Sequence, residues 1–461
     1  MTLSSTVRLE RLSLTNFRCF AQCDVQLHPK LTVLVAENGR GKTAILDAIG
    51  IALGLFVDTI AGTSQWHGFE RSDVRIVRGA DGVMRPHPPV SFTAHGSVDG
   101  QRLTWSRALH AANKRARSTT NDAKTLRDAA AGLRKRLEGH ATGGRQDPAP
   151  LPLVAFYGAG RLWSEHRLTQ VKRTADPSTM GRLAGYIDCL SPSSSFKTFA
   201  DWYEKTANDV KNPTGKACGP NERPEKLLAA VRGATRTMLE PTGWHDIDWD
   251  FASKTLVVED PDHGRLPLFV LSDGVRNMIA LVADLAHRCA RLNPHFGEDA
   301  ALLTPGILLI DEVDMHLHPR WQQLVVGLLQ KVFPAMQMVV TTHSPQLLST
   351  VDVESIRVVR LQDGEGLLET PSFQTRGVDS ADVLAAIMRV DPVPPVEEAR
   401  RLSRYRAFIE DGKADTAEAA ALRTDLLDHF GPRHPVMMDS ERLLRFQAFK
   451  FRRTATPGQE G

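Results

Sequence analysis

The segment AENGRGKT, at residues 36–43, has the residue types and spacing of a phosphate-binding loop. Its end matches the pattern Gly-x-Gly-Lys-Thr, although Ala36 stands where the pattern usually begins with Gly. Glycines let backbone N–H groups turn toward phosphate oxygens, the lysine reaches the outer phosphates, and the threonine hydroxyl ligates Mg²⁺. An ordinary turn is the alternative, which the strand before it and the helix after it disfavour. The predicted nucleotide-binding residues are Glu37, Asn38, Gly39, Arg40, Gly41, Lys42 and Thr43, with Thr43 also a metal ligand.

A second chemical centre follows the apolar run at residues 306–310, where Asp311 and Glu312 stand side by side. Ligands bind at the carboxyl ends of the strands in a parallel sheet. Asp311 is therefore placed to hold Mg²⁺ through water, and Glu312 to polarise the water that attacks a terminal phosphate. A later apolar run, 336–342, ends at His343, which we expect beside Glu312, where it could sense or hold that phosphate. A polar loop and a structural histidine are the alternatives, and the two runs together disfavour them.

A third motif, Leu-Ser-Asp-Gly at residues 271–274, precedes a predicted helix. Its serine, Ser272, lies 39 residues before Asp311 in the sequence. Taken alone, it is an N-cap serine followed by a turn. The pair His316 and His318 has no further ligand nearby in the sequence, so packing and loop hydrogen bonds are favoured over a metal site.

Alternation and apolar runs predict the elements that must position these residues. Short apolar runs of the kind found in parallel sheets flank the acidic centre. In the N-terminal part we expect two or three strands in 7–35, a buried helix at 42–57, strand-like pieces in 58–105 and a helix-prone stretch within 107–145. In the middle we expect a linker before a buried strand at 151–161, mainly helices in 180–240 with a break at 211–224, and strands in 246–271. In the C-terminal part we expect a helix at 274–292, a helix at 321–333, helices from 379 and a disordered end at 454–461.

The composition is that of a soluble globular protein, with 461 residues, 42% hydrophobic and 24% charged. The net charge of +3 excludes a histone-like polycation, yet residues 107–145 alone carry +7, which fits either a solvated face or a nucleic-acid contact. The five cysteines suggest reduced thiols. The N-terminus lacks the pattern of a signal peptide, and the apolar stretch 44–57 carries Asp47, so we expect a cytoplasmic protein that does not span a membrane.

The order of the motifs along the chain resembles that of ABC-type ATPases: phosphate loop, signature loop, Asp-Glu strand, His strand. The start LSLTNFRCF is similar to the SMC, RecF and OLD branch of that superfamily. The resemblance implies an α/β fold with an ATPase head, a mixed N-terminal sheet, a parallel core sheet flanked by helices, a helical insertion and a C-terminal helical appendage. It also implies ATP and Mg²⁺ as ligands, Arg18 as a phosphate contact, and Ser272, Asp273 and Gly274 as a signature loop that acts on the nucleotide of a second subunit.

Further segments resemble the PtuA-like ATPases of bacterial anti-phage systems, which occur in Septu and some retron systems beside a separately encoded HNH nuclease. These segments are YGAGRLW (157–163), DEVDMHLHPRWQ (311–322), TTHSPQLL (341–348) and TRGVDSADVLAAIM (375–388). The 118 residues after His343 carry neither a Toprim-like acidic cluster nor a His-Asn-His cluster, so we expect the nuclease to be another chain.

The resemblance implies one interrupted ATPase that dimerises around ATP and regulates that nuclease. A homodimer or higher oligomer, the HNH nuclease and nucleic acid (phage DNA or a retron RNA–DNA) are the expected partners. A RecF-like DNA-repair ATPase that binds duplex DNA and a nucleotide-binding scaffold with little turnover remain as alternatives; a transporter ATPase is least favoured. The expected parts are 1–106 (head with phosphate loop), 107–150 (basic insertion and linker), 151–378 (helical lobe, signature loop and rest of the head) and 379–461 (helical partner-binding appendage with a disordered tail).

Overall fold

The computed structural model describes residues 6–63, 68–111, 119, 121–141, 149–160, 181–191, 196–212 and 223–454. The sequence-based predictions for 161–163, for the middle of the 211–224 break, for parts of the basic segment 107–145 and for the tail beyond 454 lie outside these residues. The strands are β1 (Val7–Phe17), β2 (Phe20–Gln26), β3 (Leu31–Val35), β4 (Ile76–Arg78), β5 (Met84–Pro86), β6 (Val90–Val98), β7 (Gln101–Leu109), β8 (Leu153–Tyr157), β9 (Ile247–Asp250), β10 (Thr255–Asp260), β11 (Gly264–Pro267), β12 (Gly306–Ile310), β13 (Met336–Thr342), β14 (Ile356–Gln362) and β15 (Glu365–Glu369).

Helices alternate with these strands and follow them at the C-terminal end of the described chain. They are α1 (Lys42–Ala61), α2 (Lys124–Ala141), α3 (Phe196–Lys211), α4 (Pro224–Leu239), α5 (Asp273–Leu292), α6 (Ala300–Leu303), α7 (Pro319–Gln322), α8 (Val325–Val332), α9 (Pro345–Leu348), α10 (Ser380–Ala386), α11 (Glu397–Glu410), α12 (Ala417–Phe430) and α13 (Pro435–Thr454).

A ten-stranded mixed sheet carries the fold, in the order β7-β6-β1-β2-β15-β14-β3-β13-β12-β8. The five strands β14, β3, β13, β12 and β8 run parallel to one another. On the other side, β2, β1, β6 and β7 are antiparallel to one another and are joined to the parallel core through β15. The predicted α/β class, with a mixed N-terminal sheet and a parallel core sheet, is confirmed.

The strands of the parallel core are apolar on both sides because helices cover both faces of such a sheet. Every residue of β3, β8, β12 and β13 is buried. Their register brings the carboxyl ends together: Ile310 lies opposite Tyr157 and Val340, and Thr342 lies opposite Val35. The loops that follow these four strands therefore meet at one edge of the sheet.

Helix α1 is the core helix behind the phosphate loop. It runs for 20 residues, four beyond the predicted end at residue 57, and stops at Gly62 in the left-handed conformation. By length and composition alone this helix could cross a membrane. Most of the helix is buried inside the protein, which is what a core helix of a globular domain shows.

The single helix predicted at 321–333 is wrong, because the structure has two short helices, α7 and α8, in its place. Helix α7 begins two residues earlier, at Pro319, where the Nδ1 atom of His318 accepts a hydrogen bond from the backbone N–H of Arg320. The backbone N–H of Leu324 then bonds to the carbonyl of Trp321, three residues back, which tightens the turn and interrupts the α-helical ladder.

The chain divides into two compact units, Met1–Val383 and Leu384–Gly461. In the first unit, β7 continues to Leu109, so the predicted boundary at 106/107 falls inside a strand. The second unit contains α11, α12 and α13 and has a small core of its own. That core consists of Tyr405, Ile409, Ala419, Leu426 and Met437.

Candidate functional site

The predicted phosphate loop connects β3 to α1 and has the backbone that its glycines suggest. Gly39 and Gly41 have φ angles of 75° and 92°, in the left-handed region that favours glycine. A Cβ atom at Gly41 would lie 2.3 Å from a ring carbon of Phe20 and 2.8 Å from the sulfur of Cys19. The turn between β1 and β2 therefore packs directly against the loop and leaves no room for a side chain at this position.

The Lys42 ammonium lies inside the loop, with 6% of the residue exposed. It donates hydrogen bonds to the carbonyl oxygens of Ala36 at 2.9 Å and of Glu37 at 3.3 Å. Burial lowers the pKa of Lys42, while the carboxylates of Asp311 and Glu312 oppose this shift. A cation held by neutral carbonyls at the start of a helix can move to an incoming phosphate at little cost.

Asp311 and Thr43 meet, although they are 268 residues apart in the sequence. The Thr43 hydroxyl donates to one carboxylate oxygen of Asp311 at 2.9 Å. The Thr341 hydroxyl donates to the other oxygen at 2.6 Å and also accepts the backbone N–H of Glu312 at 2.7 Å. Thr341 was not predicted as a site residue; its signal is a pair of threonines that ends an otherwise apolar strand.

Glu312 adopts a φ angle of 48°, uncommon for a residue with a side chain. It lies half-buried directly after Asp311, on the edge where the parallel strands end. Strain of this kind persists where the surrounding structure holds it, and it clusters at functional sites. Here the hydrogen bond to Thr341 holds the backbone.

His343 lies close enough to Lys42, Glu312 and Asp311 for their charges to shift its pKa. Burial and then the charge of Lys42 lower its pKa, while Asp314, Glu312 and Asp311 oppose the shift. Asp314 was not predicted as a site residue. One of its carboxylate oxygens is buried and has no hydrogen-bond partner within the part of the chain that the structure describes. The structure thus brings together the predicted lysine, acids and histidine and adds a third carboxylate.

Arg18 lies in the turn between β1 and β2 that packs on the phosphate loop. Its guanidinium forms ion pairs with Asp47 of α1 and with Asp73, the latter at 2.9 Å. Burial lowers the pKa of Arg18, but these two carboxylates outweigh it, so the pKa is raised. A phosphate contact by Arg18 stays a prediction that requires a rearrangement of these ion pairs. Within the loop, Glu37 and Arg40 pair with each other at 2.9 Å on the surface.

The signature segment begins α5, with Ser272 as the N-cap residue and Asp273 in the first turn. The Ser272 side chain makes no capping hydrogen bond, so its hydroxyl is not used by the helix. A Cβ atom at Gly274 would lie 2.3 Å from the carbonyl oxygen of His316, so the signature packs against the loop that follows Glu312. An open groove of about 740 Å³ lies between them and is lined by Ser272, Gly274, Val275, His316, Leu317, His318, Arg320 and Trp321.

Two large apolar side chains directly precede the signature segment in the sequence. Phe269 and Val270, directly before the signature, are 65% and 56% exposed. Together with the unused serine hydroxyl, they give the start of α5 a surface suited to contact another protein molecule.

A buried charge network ties the signature helix to the strand beside Asp311. The Tyr157 hydroxyl donates to the carboxylate of Asp284 at 2.7 Å, and the Tyr157 carbonyl accepts the backbone N–H of Asp311 at 2.8 Å. Arg288, one turn along α5, donates to the same Asp284 oxygen at 2.9 Å. The His287 ring stacks on Trp202 of α3, with ring centroids 4.0 Å apart. This network was not predicted: Asp284 and Arg288 have the i, i+4 spacing of a helical ion pair, but nothing in the sequence relates them to Tyr157 or Trp202.

Comparisons with known proteins relate this chain to AAA domains and to ATPases. Two AAA-domain family models match, one over residues 11–212 and a second, whose description names the AbiEii toxin of a type IV toxin–antitoxin system, over residues 124–349. The chain is 24% identical to the Retron Vc95 probable ATPase of Vibrio cholerae over 93% of this chain and 88% of that protein. It is 22% identical to the Septu protein PtuA of Bacillus thuringiensis over 43% of this chain and 49% of that protein.

Other similar proteins include a retron ATPase of Escherichia coli, RecF proteins and an OLD nuclease. The predicted resemblance to the SMC, RecF and OLD branch of ATPases is confirmed as a similarity. Among solved structures, the SMC head domain of Thermotoga maritima aligns over 79% of this chain and all of that one, at 14% identity and a TM-score of 0.41.

The residues at this edge of the sheet fit a bound Mg²⁺–nucleotide. Mg²⁺ prefers hard oxygen ligands and is usually held by one or two protein oxygens together with substrate phosphates and water. The Thr43 hydroxyl and the Asp311 carboxylate are such oxygens, and they already converge at hydrogen-bond distance. The glycine backbone and Lys42 beside them supply donors for the phosphates.

Proposed function

We propose that this protein binds and hydrolyses ATP, dimerises around it and regulates a separate HNH-type nuclease in bacterial anti-phage defence. The observation that carries the ATPase proposal is the hydrogen bond between Thr43 and Asp311. It joins the phosphate loop to the acidic strand end at the point where a nucleotide-bound Mg²⁺ is held in such sites.

Each protein group has a defined part in the proposed reaction. Lys42 neutralises charge on the outer phosphates, and Thr43 and Asp311 would hold Mg²⁺, which draws negative charge from the phosphate oxygens. Glu312 accepts a proton from the attacking water, and His343, whose pKa is lowered by burial and by Lys42, donates or accepts a hydrogen bond at the terminal phosphate. Thr341 holds both acids in position through its two hydrogen bonds.

The signature loop supports the proposal that two copies close over ATP. Ser272 and Gly274 present a hydroxyl and a backbone N–H at the start of α5, where a helix favours negative charge. The exposed Phe269 and Val270 beside them would be covered by a second subunit. The terminal phosphate then links two subunits, so hydrolysis weakens the dimer.

The defence role follows from the retron and Septu relatives, and it carries with it a cytoplasmic location and a nuclease on another chain. Nucleic acid, either phage DNA or a retron RNA–DNA, is a further proposed partner. The exposed Lys124, Lys135 and Arg136 of α2 support such a contact.

The test is the variant Glu312→Gln, which keeps the shape of the side chain but cannot accept a proton. We expect ATP binding by calorimetry to change less than about threefold, while hydrolysis falls by about 10²–10⁴. ATP should then convert the variant into a long-lived dimer, measured by light scattering. Glu225→Gln, the same exchange on an exposed residue of α4, is the matched control. A Glu312→Gln protein that hydrolyses ATP at the wild-type rate would falsify the assignment.

A further inference from the structure

One face of α13 exposes a row of apolar and basic side chains, which we name the α13 stripe: Met438, Arg442, Arg445, Phe446 and Phe449. At about 100° per residue, these positions lie within one third of the helix circumference. The exposed fractions of Met438, Phe446 and Phe449 are 44%, 63% and 58%. The side chains of Arg442 and Arg445 are 74% and 80% exposed.

The opposite face of α13 holds the helix in its own unit. Met437 and Ser440 are each 1% exposed, and Leu443 and Leu444 pack against the small core formed with α11 and α12. The orientation of the helix is therefore set by this core, and the stripe is the face that remains outward.

The basic residues alone have a simple explanation, and the apolar ones do not. The segment 442–454, RLLRFQAFKFRRT, carries five basic residues and no acidic one. Cations near a helix C-terminus interact favourably with the helix dipole. Three large apolar side chains in one row on the surface of a small unit are unusual, and they mark an interaction site.

We infer that the α13 stripe is the docking surface for a protein partner, which binds it in a groove with an apolar floor and an acidic rim. The inference rests on the proposed function, in which that partner is the separate nuclease. Met438 and Phe449 are 11 residues apart, about 16 Å along the helix, a span that suits a helix laid into a groove. The excess of basic over acidic residues in the segment 442–454 complements the acidic rim.

Nucleic acid is the less suitable occupant of the stripe. Met438 and Phe446 offer no hydrogen-bond donor to a phosphate. Asp439 and Glu441 lie within the same turns, where they pair with Arg442 at 3.2 Å and Arg445 at 3.8 Å and reduce the positive potential there. Apolar burial is therefore the main source of affinity that the stripe can supply.

The test uses the full-length chain and the purified nuclease encoded by the neighbouring gene, with binding measured by calorimetry. We expect the double variant Phe446→Ser/Phe449→Ser to weaken binding at least about 30-fold, as the loss of central aromatic anchors does. Arg445→Glu should weaken binding about 5-fold or more, with the difference shrinking at high salt. Two matched controls, Val396→Ser at the N-cap of α11 and Arg400→Glu on α11, should bind within twofold of wild type.

The outcomes separate this inference from the proposed function. Wild-type chain that binds no nuclease overturns the proposed partner and the docking surface together. Wild-type binding that persists in both stripe variants overturns the docking surface alone. Loss of affinity for a fluorescent oligonucleotide, with nuclease binding unchanged, would assign the stripe to nucleic acid instead. All variants should keep wild-type ATPase rates and melting temperatures, since the stripe lies outside both the ATP site and the core.

Discussion

The buried pair of Asp284 and Arg288 offers a quantitative test of the fold around the ATP site. The two residues are 5% and 8% exposed, and Arg288 also donates to the carbonyls of Gly185 at 3.2 Å and Ile187 at 2.6 Å. Although burial acts to raise the pKa of Asp284, Arg288 and its other neighbours hold that pKa well below its ordinary value. The carboxylate is therefore ionised at neutral pH and balances a buried guanidinium.

The perturbation is Asp284→Asn, which keeps the volume of the side chain and removes its charge. Arg288 cannot lose its proton, so a buried positive charge remains without its counter-ion. Breaking a buried pair in this way costs about 3–5 kcal/mol of unfolding free energy. The double variant Asp284→Asn/Arg288→Met removes both charges and should recover much of that loss. The surface pair Arg236–Asp246, with side chains 62% and 30% exposed, is the control; Asp246→Asn should cost less than about 1 kcal/mol.

The assay is urea unfolding followed by tryptophan fluorescence. All seven tryptophans lie in the unit Met1–Val383, so the signal reports on the unit that contains the pair. An Asp284→Asn protein within about 1 kcal/mol of wild type would refute the reasoning, and so would a double variant no more stable than the single one. Because Tyr157 joins Asp284 to the backbone of Asp311, we also expect the single variant to hydrolyse ATP more slowly.

Three further predictions concern pH and two glycines. Burial lowers the pKa of His287 to about 4, whereas an unfolded histidine has a pKa near 6.5. The free energy of unfolding should therefore fall by up to about 3 kcal/mol as pH drops from 6.5 to 4, because the unfolded state binds the proton more tightly. The variant His287→Phe should flatten that part of the stability profile measured by urea unfolding. Gly41→Ala should weaken ATP binding in calorimetry at least about tenfold, because its Cβ has no room, while Gly327→Ala, with open space around it, should bind normally. Gly274→Ala should bind ATP yet fail to form the ATP-dependent dimer in light scattering, because its Cβ would lie 2.3 Å from a carbonyl oxygen. Gly233→Ala, with open space around its Cβ, is the control. Normal dimerisation of the Gly274 variant would contradict the signature role.

Much of the ATP site could be predicted because its parts are local. The phosphate loop, from Gly39 to Thr43, is a continuous stretch in which glycine and lysine have direct conformational and electrostatic consequences. Asp311 and Glu312 could be predicted for the same reason, because a short apolar run predicts an inner strand and the residues after it lie at the ligand-binding edge. Their roles in catalysis stay predictions until the variants are measured.

Other features could not be predicted because they depend on which elements become neighbours. Thr341 is an unremarkable strand residue until β13 pairs beside β12 and brings its hydroxyl to Asp311. The ion pairs of Arg18 with Asp47 and Asp73 likewise join three separate parts of the chain. The break between α7 and α8 was missed for a different reason, because a local turn interrupts an apolar pattern that is typical of one helix.

The sequence by itself determined the element types, the order of the ATPase motifs and the basic, aromatic character of α13, since each depends on neighbouring residues or on a periodic pattern. The tertiary structure alone decided that Tyr157 bridges Asp311 and Asp284 and that Gly274 packs on the loop after Glu312. It also decided which face of α13 is exposed. The physical reason is that burial and hydrogen bonding between distant segments depend on packing geometry, which periodicity along the chain does not encode.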